Sequence, residues 1–290
     1  MVGGAPHKAN PCLPARGPQR LTSSAVSPFR LLVTPPLPGP ENMALDDALL
    51  DRARTTGECV LRLYAWSTPT LSFGRHQKAV GLYDPARLAE RGVDTVRRPT
   101  GGRAVLHHRE ITYSVTAPVG AFAPEGAPLR TAYARINRLL LGALRRLGVE
   151  AREAVPAGRA PHPDGAPCFE VPTGGELVLD TAGGAAKLVG SAQWQEHGAL
   201  LQHGSILVDD DQSSVSHLAA RPLPEVPSPA TLRGALGRAP TLAETASAFD
   251  AALRELEDPD LRPLDVDPPL RAALDRTRAR YLDPDWTWRR

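Results

Sequence analysis

Lysine is rare in this chain: only Lys8, Lys78 and Lys187 occur, and every other basic residue is arginine. Arginine stays protonated near neutral pH, whereas a desolvated lysine can lose its proton. A lysine kept in such a chain marks a place where the amine itself is usable. Lys8 lies in a Pro- and Gly-rich tail and Lys78 in a polar loop. Lys187 falls in an apolar strand pattern, Lys187-Leu-Val-Gly-Ser-Ala-Gln193, whose alternation puts Lys187, Val189, Ser191 and Gln193 on one face. Cys168 precedes it in a loop rich in Pro and Gly, between Pro167 and Phe169. A neighbouring ammonium would lower the thiol pKa and raise the thiolate fraction, the form in which cysteine attacks an acyl group. Cys168 and Lys187 are therefore the candidate catalytic pair. An incidental thiol and a solvated lysine on a sheet edge are the bland alternatives.

Two further stretches supply candidate substrate contacts. Arg97-Arg98-Pro-Thr-Gly-Gly-Arg-Ala-Val-Leu-His107-His108 reads as a strand end, a Thr-Gly-Gly turn and a second strand. Glycines let backbone N–H groups approach a ligand, and the arginines favour an anionic one. This nominates Arg98, Thr100, Gly101, Gly102, Arg103 and His107, although two-glycine turns between strands are common. In Leu200–Val208, His203 and Gly204 interrupt an apolar strand, and a strand glycine often marks close approach by a ligand or another backbone. With Gly190, Ser191 and Ala192 of the lysine strand they complete the nominated set. Backbone N–H groups at Gly101-Gly102 or Gly190-Ser191 are candidate oxyanion donors, and Leu71, Val105 and Val189 are candidates for an apolar tunnel. The three cysteines, Cys12, Cys59 and Cys168, are odd in number and lack C-x-x-C spacing, so neither a disulfide framework nor a zinc site is expected. No metal or cofactor is called for.

The elements that must hold these residues follow from periodicity. Residues 1–28, Pro-, Gly- and Ser-rich, read as a disordered tail. Strands are expected at 29–34, 60–65, 70–73, 93–97, 110–116, 176–180, 187–193 and 200–208, with a Gly183-Gly184 turn making the sixth and seventh a hairpin. A helix over 42–54 would be capped by Asn42. A short helix over 84–91 ends at Gly92. Helix 131–147 carries the clearest stripe, Ile136, Leu139, Leu140, Ala143, Leu144 and Leu147. Thr241 with Glu244 signals a capping box, and a last helix runs near 270–281. The order does not alternate βαβα, so the expected class is α+β: mixed β-sheets flanked by helices. The division expected is a tail over 1–28, a catalytic domain over 29–216 and a small helical C-terminal extension over 217–290.

Net charge is +2, and the first forty residues alone carry +4, leaving a slightly acidic body. That argues against a nucleic-acid partner. No apolar run is long enough to span a bilayer and no signal-peptide core is present, so no membrane association and a cytoplasmic location are expected.

Taken together these stretches resemble the biotin/lipoate ligase and octanoyltransferase superfamily over about Arg30–Asp210. Asn42–Leu50 looks like its first helix, Leu71–Gln77 like its "GR-Q" turn, Arg97–His107 like its acyl-binding loop and Lys187–Gln193 like the strand of its essential lysine. The resemblance implies a biotin/lipoate ligase-like catalytic domain. Within the superfamily, Cys168 ahead of Lys187, Arg103 where ATP-dependent ligases carry a third glycine, and Leu201–Leu207 are similar to the octanoyl-[acyl-carrier-protein]:protein N-octanoyltransferases. That branch implies octanoyl-acyl carrier protein as donor. It implies lipoyl-domain proteins, such as glycine cleavage H protein and 2-oxoacid dehydrogenase subunits, as acceptors, with a Cys168 thioester between them. An ATP-dependent lipoate–protein ligase, an octanoyl amidotransferase acting between lipoyl domains, and an acyl-binding protein without turnover are the rivals.

Overall fold

The computed structural model describes Met1 and residues 28–123, 126–155, 175–210, 212–220 and 227–289. In chain order these form β1 (Phe29–Val33), α1 (Gly39–Thr56), β2 (Cys59–Tyr64), β3 (Thr70–Phe73), α2 (Pro85–Glu90), β4 (Asp94–Arg97), β5 (Val105–His107), β6 (Glu110–Pro118), α3 (Val119–Phe122) and α4 (Leu129–Arg146). There follow β7 (Arg152–Glu153), β8 (Leu177–Thr181), β9 (Gly184–Glu196), β10 (Ala199–Leu207), α5 (Val215–Leu218), α6 (Leu232–Leu236), α7 (Leu242–Leu256), β11 (Arg262–Pro263), α8 (Pro268–Leu282) and α9 (Pro284–Thr287).

Eight strands make one mixed sheet in the order β11-β1-β2-β6-β10-β9-β8-β7, and β4-β3-β5 make a second. In the large sheet β1 runs parallel to β2 and β11, while β2–β6, β6–β10, β10–β9, β9–β8 and β8–β7 are antiparallel. Every residue of β2 and β10 is buried, because helices cover both faces of the sheet. On one face Leu61, Leu63, Tyr113 and Val115 pack with the α4 stripe Ile136, Leu139, Leu140, Ala143 and Leu144 and with Phe249 and Leu253 of α7. Each leucine buried there stabilises the fold by roughly 1.5–3 kcal/mol. On the other face Leu45 and Leu49 of α1 pack with Val60, and Leu270 and Ala273 of α8 join them. The expected α+β class, mixed sheets flanked by helices, is the observed one.

Two local readings change. The helix α1 starts three residues before Asn42, with Pro38 at the cap and proline in its first turn, where the missing N–H is no loss. Asn42 is therefore no cap. Its fully buried amide donates to the Leu37 and Ala65 carbonyls and accepts from Arg62. The β8–β9 hairpin turns at Ala182-Gly183, since Thr181 already pairs with Gly184. The capping box of α7 forms as its residues suggest: Thr241 accepts from the Glu244 N–H, and the Glu244 carboxylate accepts from the Thr241 N–H.

The segment after residue 217 is woven into both sheets. β11 adds a strand beside β1, α8 lies along α1, and Trp286, Thr287 and Arg289 reach β4. The carbonyls of those three residues, with those of Gly74, Arg75 and Gln77, ring the buried guanidinium of Arg97. Arg97, read from sequence as a draw for an anionic ligand, thus ties the C-terminal segment to the turn after β3. Among the described residues no helix is long and apolar enough to cross a membrane.

Candidate active site

A pocket opens between α1, the 98–103 loop and the edge shared by β9 and β10, with about 490 Å³ of space between its walls, part of it open to solvent. Its floor is fixed by one buried carboxylate. Asp46, on the sheet-facing side of α1, accepts from Arg62 (2.9 Å), Ser114 (2.8 Å), Tyr64 (3.0 Å) and His203 Nδ1 (3.1 Å). Asp46 and Arg62 are both fully buried. Burial pushes the Asp46 pKa up, but the His203 hydrogen bond, the Arg62 and His203 charges and the Ser114 bond outweigh it and hold it below 3.8. Burial is also the main force on His203 and keeps its pKa below 6.5, with Arg98 and His107 adding to the shift and Asp46 opposing it. A neutral ring giving its Nδ1–H to Asp46 leaves Nε2 as acceptor, and the Thr100 hydroxyl lies 2.6 Å from it. A chain of α1 carboxylate, β10 imidazole and loop hydroxyl thus sets the height of the 98–103 loop.

The loop is tied to itself by Arg98, which donates to Ser72 O and Oγ and to the Gly101 and Arg103 carbonyls. This wrap explains the glycines. Gly102 has φ +95°, and a Cβ there would sit 2.8 Å from the Arg98 guanidinium. Gly74, in the turn after β3, passes so close that its Cβ would meet the Gly102 carbonyl at 1.9 Å. The Arg75 N–H donates to the Thr100 carbonyl at 2.8 Å and locks the two turns together.

A second polar relay borders the pocket. Because Arg98 donates to Ser72 Oγ, the Ser72 proton is left for His107 Nε2 at 2.7 Å, and His107 Nδ1–H then faces Glu110 at 2.9 Å. The Trp66 ring lies flat on His107, centroids 4.1 Å apart and planes at 11°, while its N–H donates to Thr112. The imidazole is pinned on its face and at both nitrogens.

Eight of the nominated residues line this pocket: Arg98, Gly102 and His107 from the first stretch, Gly190, Ser191 and Ala192 from β9, and His203 and Gly204 from β10. Thr100, Gly101 and Arg103 stand behind the wall, holding His203 and Arg98. Gly204 has no room for a side chain, since a Cβ would lie 2.5 Å from the Gly190 carbonyl and 2.8 Å from Ser191 Oγ. Of the tunnel candidates only Val105 lines the pocket. Leu71 is buried in the core beside the small sheet and Val189 in the core under α4. Sequence reading passed over Met43, Tyr64, Trp66, Thr112 and Ser205, which also line it.

Lys187 is 2% exposed, and its ammonium meets Glu176 Oε1 at 2.6 Å. It is not among the pocket's walls. The pairing shifts between Leu177 and Val178, so that Leu177 faces Val189 and Val178 faces Lys187, with Leu188 the extra residue. Such a bulge interrupts strict alternation, so Lys187 does not share a regular face with Val189, Ser191 and Gln193 as the spacing suggested. Cys168 and Cys12 lie outside the described residues. Cys59 is buried in β2, where burial pushes its thiol pKa up to about 12, so it is no nucleophile.

The chain can be set beside known proteins. Residues 38–254 match the family model of the lipoyl protein ligase A/B catalytic domain. An octanoyltransferase LipM from Kyrpidia tusciae is 35% identical over 277 residues, 90% of this chain and 99% of the relative. Another LipM, from Symbiobacterium thermophilum, is 39% identical over 242 residues, 77% of this chain and 84% of the relative. Among solved structures, a putative lipoate protein ligase from T. acidophilum with bound lipoic acid superposes with a TM-score of 0.70 at 21% identity, covering 90% of this chain and 99% of that one. A lipoate-protein ligase A bound with ATP gives 0.68 at 19% identity, over 90% and 98% of the two chains.

Proposed function

The chain belongs to the lipoyl protein ligase A/B catalytic family, and from that premise we propose that it moves an octanoyl group from acyl carrier protein to a lysine of a lipoyl domain through a thioester on Cys168. The observation that carries this reading is the likeness to octanoyltransferases along nearly the whole chain, whereas the likeness to ligases is one of fold.

In this mechanism the Cys168 thiolate attacks the donor thioester carbonyl. The tetrahedral intermediate collapses with departure of the carrier thiolate, leaving octanoyl-S-Cys168. The neutral amine of the lipoyl-domain lysine then attacks that thioester, loses a proton and expels the Cys168 thiolate as the amide forms. Both acyl bonds broken are thioesters, already activated, so the reaction balances without ATP. The pocket receives the octanoyl chain between Trp66, Val105 and the glycine backbone of β9 and β10. Lys187 acts at the reacting end, where its ammonium stabilises the thiolate and the developing oxyanion and its amine relays the proton released by the acceptor. Glu176 holds that ammonium in place. Lipoyl domains are the acceptors, and glycine cleavage H protein and 2-oxoacid dehydrogenase subunits carry them. A cytoplasmic location fits these partners.

Intact mass spectrometry tests the reading. The protein is mixed with octanoyl-acyl carrier protein without ATP, beside a Cys168→Ser control. One octanoyl adduct at Cys168, discharged by a lipoyl domain, is the expected outcome. No adduct, with acylation of the lipoyl domain from free octanoate plus ATP, would assign the chain to the ligases.

A further inference from the structure

A second pocket lies beside the acyl site, walled by Arg75, His76, Gln77, Arg97 and Arg289, with about 570 Å³ of space including its open side. Its charge balance is unusual. Arg97 is buried and spends its donors on backbone carbonyls. Arg75 lies over the Trp194 ring at 4.1 Å, and Arg289 over Trp286 at 4.1 Å while donating to the Arg75 carbonyl. No carboxylate among the described residues pairs with any of the three, whereas Arg30, Arg52, Arg54, Arg62 and Arg135, also partly or fully buried, each have one. Burial, then the charges of Arg289 and Arg98, pull the Arg97 pKa down to about 10. Burial, Arg75 and Arg280 lower that of Arg289. Three guanidiniums held together without a counter-charge repel one another, and an anion between them relieves the repulsion.

The place of this pocket suggests which anion. The Arg75 N–H is bonded to Thr100, and Gly74 touches Gly102 of the acyl-site wall. Trp194, beneath Arg75, is two residues along β9 from Ala192 of that wall, about 7 Å at strand spacing. A ligand whose acyl end enters the first pocket would carry a phosphate group past the second if that group sat along the same arm. We infer that the Arg75–Arg97–Arg289 pocket binds a phosphate ester, and that in the proposed transfer it takes the phosphate at the base of the donor's pantetheine arm. This rests on the acyl-carrier reading above.

The test compares octanoyl-4′-phosphopantetheine with octanoyl-pantetheine, which share thioester and arm and differ by the phosphate. The expected result is a kcat/KM at least tenfold higher for the phosphorylated donor. In Arg289→Gln and in Arg75→Gln the two donors become equal, with octanoyl-pantetheine turned over as before. Equal use of both donors by the unaltered protein overturns the inference, as does an equal loss on both in the variants. A loss seen only with the whole carrier protein overturns it too, since that assigns the arginines to the carrier's acidic face. If neither donor acylates the protein, the transfer reading itself has failed. Inorganic phosphate then decides the pocket: ³¹P line broadening at constant ionic strength, abolished in both variants, supports it, and no broadening refutes it.

Discussion

Replacing Asp46 by asparagine keeps the side chain's shape and removes the buried negative charge beneath the pocket. Arg62, fully buried with Asp46 as its carboxylate partner, is left as an uncompensated charge. Breaking such a pair by removing one member costs about 3–5 kcal/mol. That is a large share of the roughly 5–15 kcal/mol by which proteins are stable, and for a chain of this size it lowers Tm by roughly 6–20 °C. The pH dependence gives an independent readout. The folded pKa of Asp46 lies below its ordinary 3.8, so its contribution is present above 3.8 and is lost as pH falls from there through the folded value. Urea unfolding of the parent and Asp46→Asn across the acid range measures both quantities. The variant should be less stable near neutrality and show a shallower loss below pH 3.8. A neutral-pH cost under about 1 kcal/mol, or an unchanged acid slope, would refute the view that an ionised Asp46 compensates Arg62.

Four further outcomes follow from the same geometry. His203→Gln should flatten the stability profile below pH 6.5, because the native ring resists protonation and the unfolded ring does not; the urea series reads this, and an unchanged slope there would contradict the neutral tautomer. Gly204→Ala should destabilise by about 1–3 kcal/mol, since its Cβ has only the Gly190 carbonyl, Ser191 and Tyr113 to meet; a melting temperature equal to the parent's would mean that β9 and β10 yield at this crossing. Cys59 should resist maleimide in the native state at pH 8 and react on unfolding, as its thiol pKa of about 12 and its burial require; peptide mapping checks this. Lys187→Arg should keep a charge beside Glu176 yet slow transfer by roughly 10²-fold or more, and full activity in the steady-state assay would remove the proton-relay role.

Much of this architecture could be read from sequence because local signals and global packing agree. The α4 stripe buries the residues its period singled out, and Thr241 and Glu244 close their box within four residues of chain. Gly102 of the 98–103 loop and Gly204 of β10 were informative for a related reason: each marks a place where a neighbouring backbone or a guanidinium leaves no room for a Cβ. What escaped notice is long-range. Asp46 looks like any helix-surface acid until its partners, 16 to 157 residues away, fold around it. Glu176 becomes visible only when Lys187 arrives across the hairpin. Asn42 carries the residue type of a cap, yet the prolines before it already start the helix, so its amide goes to the chain crossing nearby. The bulge at Leu188 leaves no mark in an apolar run, and alternation counted through it fails.

Among the described residues the large sheet ends on both sides in strands of two residues, β7 and β11. An open edge of an eight-stranded sheet is a template on which another chain could add. Here β7 offers two rungs and carries Arg152, exposed and paired with Asp180 of the neighbouring β8. β11 offers two rungs, one of them a proline without an N–H to give. Along β7 and β11 a passing strand, whether from a nascent polypeptide or a partly unfolded copy, would find few hydrogen-bonding positions. The sheet that shapes the pocket is thereby a poor template for edge-to-edge pairing at these two strands.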